Sequence, residues 1–282
     1  MTFDKNVLTF IGCDSDYAES NIVLFGAPVD ATTSYRPGTR FAAHAIRSES
    51  NGYEEYSPYQ DKRLSDIGVC DAGDLDLPMG DIEGDLEIIE EATAQILSDD
   101  KVPVMIGGEH LVTLGAVRAC AEKYPDLHVL HFDAHTDLRD SYSGRKLSHA
   151  TVIRRVCDLI GGEKIYQLGI RSGEKEEFEF AEKHTNMCKF DCSKIDEYIN
   201  ALKGKPVYVT IDLDVLDPAF FAGTGTPEPD GIDFKTLLSC VLKMKDINIV
   251  GADINELSPH YDQSGASTAV ACKILRELLL VL

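Results

Sequence analysis

Three potential metal donors at alternate positions, Asp133, His135 and Asp137, follow the apolar run Val129-Leu130-His131-Phe132. Such a run suits a strand buried on both faces. Successive side chains of an extended chain point to opposite faces, so the three are expected to project together. Two carboxylates and an imidazole on one side suit a divalent ion such as Mn, Zn or Fe. The rival reading is an acidic strand end on a solvated edge, with His135 incidental. A second group, Asp212-Leu213-Asp214, again sets two carboxylates at i and i+2 after an apolar stretch. A calcium loop starting at Asp212 would need Gly at its sixth position and Glu at its twelfth, where the chain has Asp217 and Gly223. Asp217 precedes a proline and reads as a turn former. A third group, Gly107-Gly108-Glu109-His110, has glycines that permit a tight turn and is expected to leave His110 exposed at a rim. Taken alone, His110 reads as a histidine at a helix start rather than as a ligand. Neither GxxxxGK[ST] nor GxGxxG occurs, which argues against a phosphate cradle.

These groups acquire a common location once the elements are laid out. Short β-branched runs at 22–26, 102–106, 128–132, 165–169, 207–211 and 247–252 alternate with helical periodicity at 42–50, 84–97, 111–124, 150–159, 175–183, 194–202, 234–243 and 266–280. Strand and helix in series predict a three-layer α/β/α fold with a mostly parallel central sheet, and no linker or repeat divides residues 1–282, so one domain is expected. Ligands of such sheets gather beyond the carboxyl ends of the strands. The three groups each follow a predicted strand, and Asp253-Ile254-Asn255-Glu256 adds a pair of acids after 247–252. The Gly- and Pro-rich loop 223–231 is expected to close over the same rim. Gathering His110, Asp133, His135, Asp137, Asp212 and Asp214 brings four carboxylates to two imidazoles, too much negative charge without cations. Two ions sharing bridging carboxylates would suit this set, and its hard, oxygen-rich character points to manganese.

Composition narrows the partners. The 282 residues carry 27 Lys and Arg against 48 Asp and Glu, a formal net charge of −21, which repels nucleic-acid backbones and anionic lipid. A small cationic substrate is the better match to that field. Eight dispersed cysteines without CxxC pairs read as reduced thiols, with Cys188 and Cys192 packed rather than forming half a zinc knuckle. Residues 1–13 lack a signal-peptide pattern, and no apolar run approaches the ~20 residues of a membrane span, so a cytoplasmic location is expected.

The blocks Gly-Gly-Glu-His at 107–110, Asp-Ala-His-Thr-Asp at 133–137, Thr-Ile-Asp-Leu-Asp-Val-Leu-Asp-Pro at 210–218 and Gly-Thr-Gly-Thr-Pro-Glu-Pro at 223–229 together resemble the ureohydrolase family, the arginase and agmatinase group of binuclear manganese hydrolases. The resemblance runs from Ser-Tyr-Arg-Pro-Gly-Thr-Arg at 34–40 to Asp-Ile-Asn-Glu-Leu-Ser-Pro at 253–259 and is closer to agmatinases than to arginases. It implies two Mn²⁺ per subunit, one held by His110, Asp133, Asp137 and Asp212, the other by Asp133, His135, Asp212 and Asp214. It further implies attack of a hydroxide lying between the ions on a guanidinium carbon, with Asp137 orienting the hydroxide and His149 transferring the proton. Glu256 would hold the guanidinium. The implied reaction converts agmatine to putrescine, a polyamine, and urea. Guanidinobutyrate, arginine or a formimino compound as substrate are the alternatives, with a catalytically silent scaffold as a further one. Family members imply a homo-oligomer, trimer or hexamer. Two departures stand out: Glu109 replaces the commoner aspartate, and an alanine follows His149 where glycine is frequent. The loop 138–148 is where specificity is expected, and His131 is expected to pack or support the site.

Overall fold

Five apolar residues without a break, Ile22–Gly26, form the first strand, β1, and every one of them is buried. β6, His128–Phe132, is likewise buried throughout although it carries two histidines, while β5, Val102–Ile106, and β9, Pro206–Asp212, expose only their first residues partially. Such strands cannot face water and must be covered on both sides. In the computed structural model, which describes residues 8–78 and 80–282, they lie in an eight-stranded sheet with β4 (Val69–Asp74), β7 (Ile165–Ile170), β8 (Asn186–Lys189) and β10 (Asn248–Asn255). The order is β4-β1-β5-β10-β9-β6-β7-β8, and all its pairings are parallel. A two-stranded antiparallel ribbon, β2 (Tyr56–Ser57) and β3 (Lys62–Arg63), stands apart.

Helices α1 (Ala42–Ser50), α6 (Ile195–Leu202), α7 (Phe234–Lys243) and α8 (Ala266–Val281) contribute Ile46, Ile199, Leu237 and Leu275 to the apolar layer on one face. Those on the other face, α2 (Ile82–Ser98), α3 (Thr113–Lys123), α4 (Val152–Ile160) and α5 (Lys175–His184), supply Leu86, Val117, Val156 and Ala181. The expected three-layer architecture is therefore present. Strands 22–26, 102–106 and 128–132 and helices 42–50 and 234–243 fall where their periodicity puts them; most other boundaries move by one or two residues.

Three strand features were not legible. The edge strand β4 carries Asp71 and Asp74, acids that break an apolar reading. Arg47 of α1, itself buried, neutralises them through Nε to Asp71 Oδ2 at 2.8 Å and a further bond to Asp74. The other edge strand, β8, is only four residues long, and the ribbon strands β2 and β3 only two each. The strand expected at 247–252 runs on to Asn255, so Asp253 sits inside β10 rather than beyond it.

What positions the site is the order of the four central strands. β9 and β10 enter between β5 and β6, and their ends are level: Ile106 pairs with Ile254, Asn255 with Asp212, and Ile211 with Phe132. Four loops far apart in sequence therefore leave the sheet side by side. Among the described residues no helix is long and apolar enough to cross a membrane. All eight cysteines are free. Residues 1–7 of the N-terminal stretch in which no signal peptide is expected lie outside the described residues.

Candidate functional site

The turn after β5 is wedged between two neighbouring loops. A Cβ on Gly107 would lie 1.7 Å from Asn255 Oδ1 and one on Gly108 1.9 Å from the Val29 carbonyl, so only glycine fits at either position. The turn places His110 at the start of a short 3₁₀ segment leading into α3. His110 is 1% exposed, against the expectation that it would stand out at the rim, because the loops after β1 and β10 close over it. Its Nε2 meets Thr210 Oγ1 at 2.9 Å, and the hydroxyl is held in turn by Thr113 and Asn255. With that nitrogen occupied, Nδ1 faces Asp133 Oδ2 at 3.0 Å, Asp137 Oδ2 at 3.0 Å and Asp212 Oδ2 at 3.5 Å. None of the three is aligned as a hydrogen bond, and Nδ1 is buried without a partner.

The Asp133–Asp137 segment reaches this point differently from the extended chain expected. β6 stops at Phe132, and Asp137 has φ +53°, so the backbone coils and folds the donors inwards. His135 Nδ1 lies 3.0 Å from Asp214 Oδ2 and 3.5 Å from Asp133 Oδ1. Asp212 Oδ1 accepts the Asp214 N–H at 2.8 Å, which locks the second carboxylate pair, and Asp214 Oδ1 accepts the N–H of Ala134 at 3.1 Å. His131 Nε2 supports Asp133 Oδ2 from below at 2.8 Å, its own Nδ1 being 3.2 Å from Gln167. Donor atoms of His110, His131 and Asp133 lie within 4.8 Å of one another, as do those of Asp133, His135 and Asp214, so Asp133 is common to two potential metal-holding groups.

The donor set fits divalent cations. Burial and the adjacent Asp133 push the Asp137 carboxyl up to about 7, and burial with Asp214 raises Asp212 well above the usual carboxylate range. Despite burial, the neighbouring His110, His131 and His135 hold Asp133 well below it. Carboxylates this close disfavour one another's charge, and a cation among them reverses that penalty. The bare Nδ1 of His110, aimed at three carboxylate oxygens, is oriented as a metal ligand rather than as a hydrogen-bond donor.

The cluster floors a cavity of about 290 Å³ whose walls include His149, Glu256, Arg139, Tyr142, Glu174 and Thr226. Glu256, at φ +65°, turns its Oε1 to accept the His110 N–H at 2.7 Å. Burial raises its carboxyl well above the ordinary range. His149 stands opposite, edge-on to the Tyr142 ring with centroids 5.7 Å apart, and burial lowers its imidazole to about 4. Thr226, from the Gly- and Pro-rich loop, reaches Asp214 Oδ2 at 3.3 Å, as the expected closure requires. Arg139 is drawn to Glu174 at 3.2 Å and Glu177 at 3.4 Å.

All six expected ligands are thus brought into one cluster; His110, His135, Asp137 and Asp212 line the cavity with His149 and Glu256, and Asp133 and Asp214 lie buried behind them. Asp253 is not: its carboxylate takes the Tyr208 hydroxyl at 2.6 Å and the Thr113 hydroxyl at 2.9 Å beneath the site. Asp217 forms a turn, accepting the N–H groups of Ala219 and Gly231. Sequence reasoning missed Thr210, although it lies two residues before Asp212 on one strand and so on the same face. It also missed Thr32 and Ser34, whose hydroxyls flank His149 from a loop nearly 120 residues away; no local signal marks them.

A family model described as the arginase family matches residues 20–281. The agmatinase of Bacillus cereus is 51% identical over 286 residues, covering 99% of each chain. That of Bacillus subtilis is 48% identical with the same coverage. A solved structure from Clostridium difficile, provisionally assigned as an agmatinase, is 54% identical and superposes with a TM-score of 0.93 over 94% of this chain and 98% of that one.

Proposed function

The chain belongs to the arginase family of hydrolases acting on guanidino carbon–nitrogen bonds, and from that premise we propose that it hydrolyses agmatine to putrescine and urea. The observation that carries the reading is the convergence of His110, Asp133, His135, Asp137, Asp212 and Asp214 in one cluster, of which His110, His135, Asp137 and Asp212 line a cavity together with His149 and Glu256. One manganese would be held by His110, Asp133, Asp137 and Asp212, and the other by Asp133, His135, Asp212 and Asp214. Two such ions, when bound, bring the pKa of water from about 16 to about 7, providing a nucleophile strong enough for a resonance-stabilised guanidinium carbon.

The protein's own groups do the rest. Glu256 Oε1 is steadied by the His110 N–H, and its carboxylate accepts the substrate's N–H groups, fixing the carbon over the cluster. Asp137 accepts a hydrogen bond from the nucleophile and orients it. Carbon–oxygen bond formation and carbon–nitrogen cleavage release an amine that must leave protonated. His149, neutral where it sits, takes up and delivers that proton. Among the described residues lining the cavity Arg139 is the only Lys or Arg, and its charge is engaged by Glu174 and Glu177, which supports agmatine over arginine or guanidinobutyrate, whose carboxylates call for a free cation. The same reading carries a single catalytic domain over residues 1–282, a cytoplasmic location and a trimeric or hexameric assembly.

The test is urea release by manganese-loaded protein from agmatine, arginine and guanidinobutyrate, with metal-stripped protein and Asp133→Ala alongside. Metal-dependent urea from agmatine, lost in both controls, is expected. Urea from no guanidino compound while manganese still binds would overturn the assignment.

A further inference from the structure

Glu109 is wholly buried beside His110, and its carboxyl turns to the loop after β1 rather than to the metal cluster. Its backbone N–H donates to the Val29 carbonyl at 2.7 Å. Its Oε2 accepts the N–H of Thr32 at 2.8 Å and the Thr33 hydroxyl at 3.4 Å. The carboxylate therefore clamps the loop that follows β1. That loop holds His149 at three points. The His149 N–H donates to Thr32 Oγ1 at 3.0 Å, the same hydroxyl lies 3.4 Å from ring Nδ1, and Ser34 Oγ lies 3.2 Å from ring Nε2. Both ring nitrogens are thus engaged by hydroxyls of one short segment. Within hydrogen-bonding distance, His149 Nδ1 otherwise meets the hydroxyl of its neighbour Ser148 at 3.4 Å.

We propose that Glu109 is a positioning residue for His149, acting through Thr32, so that the turn carrying the metal ligand His110 and the loop orienting the proton-transfer histidine move as one body. This rests on the role given to His149 above. The physical case is one of reach. The 29–34 segment is a half-exposed loop whose own backbone bonds are few, and a loop left to itself samples many conformations. A carboxyl oxygen buried beneath it fixes Thr32 by accepting its N–H at 2.8 Å. Fixing Thr32 fixes both the backbone and the ring of His149. The remaining oxygen, Oε1, is buried with no partner, a desolvation cost that a mere space-filling residue at this position would not incur.

The experiment compares Glu109→Ala, Glu109→Gln, Thr32→Val and the Glu109→Ala/Thr32→Val double variant in the manganese-loaded protein. Three quantities are read: kcat and KM for agmatine, bound manganese, and hydrogen exchange of the His149 and His110 amides. Glu109→Ala is expected to lower kcat by about 10- to 100-fold, the scale of a misplaced catalytic group, with KM within about threefold. Two ions should still be retained, and the His149 amide should exchange faster while the His110 amide, held by Glu256, does not. Glu109→Gln, which keeps an acceptor in place, should stay near wild type. Thr32→Val should reproduce the kcat loss, and the double variant should be no worse than the more impaired single one, because both cut the same path. Unchanged His149 exchange in Glu109→Ala, fully additive losses, or loss of manganese as the main effect each overturn the proposal. Should Glu109→Ala not fold, Thr32→Val and Glu109→Gln carry the same comparison. The exchange readout needs no substrate, so a chain that proves inactive on agmatine fails the functional reading without deciding the clamp.

Discussion

At His110 two contacts divide the work of one ring: Nε2 is tied to Thr210, and Nδ1 is left bare towards Asp133, Asp137 and Asp212. Such a partner sets both the tautomer and the ring angle of a metal-binding histidine. Replacing Thr210 by valine keeps the shape and removes the acceptor. We expect Thr210→Val to weaken manganese binding about 10- to 100-fold, read by calorimetric titration of the metal-free protein, with the far-ultraviolet circular dichroism unchanged. Wild-type affinity in that variant would mean the ring is held by packing alone. Asp137 and Glu256 show the other residue-scale device. Each adopts a left-handed backbone conformation that ordinary side chains avoid, and each is thereby turned into the cavity.

At the scale of elements, α2 carries a group whose ionisation opposes folding. Asp85, in its first turn, is buried with Oδ1 unpartnered, and burial together with Asp81 raises its carboxyl to about 6. Because the folded-state value lies above the unfolded one of 3.8, the folded chain binds the proton more tightly. Its contribution to stability is therefore fully present below pH 3.8 and is lost as pH rises through about 6. Asp85→Asn should raise stability at pH 8 by about 1 kcal/mol and have little effect at pH 4, measured by urea unfolding at both values. A pH-independent difference would show that the carboxyl is not titrating in this range. The elements also explain what the sequence made legible. Central strands announced themselves because burial on both faces demands unbroken apolar runs, as in β1 and β5. β4 did not, since its acids are satisfied by Arg47 from another element, a pairing invisible along the chain. The site split in the same way. Donors at i and i+2 after a strand could be read, whereas Thr32, Ser34 and Thr210 gain their roles only through contacts across the sheet's rim.

Across the whole molecule, a formal charge of −21 surrounds a cavity proposed to receive a cation. Such a field concentrates the substrate and is screened by salt. Raising ionic strength from about 0.01 M to about 0.5 M should lower kcat/KM for agmatine by about three- to tenfold, through KM, while kcat holds. A salt-independent KM would mean that the cavity's own groups do all the attracting. The order of the central strands has a different kind of consequence, one that concerns time. The cluster draws on residues 110, 133–137 and 212–214, and its facing wall on residue 256, yet β9 and β10 must slip between β5 and β6, which were made long before. During synthesis the emerging chain can build edges and helices but no centre, because the middle of its sheet is still being translated. Catalysis thus arrives only with about the last eighth of the polypeptide, and a ribosome that stalls before β10 releases a product with all six candidate ligands and no working site.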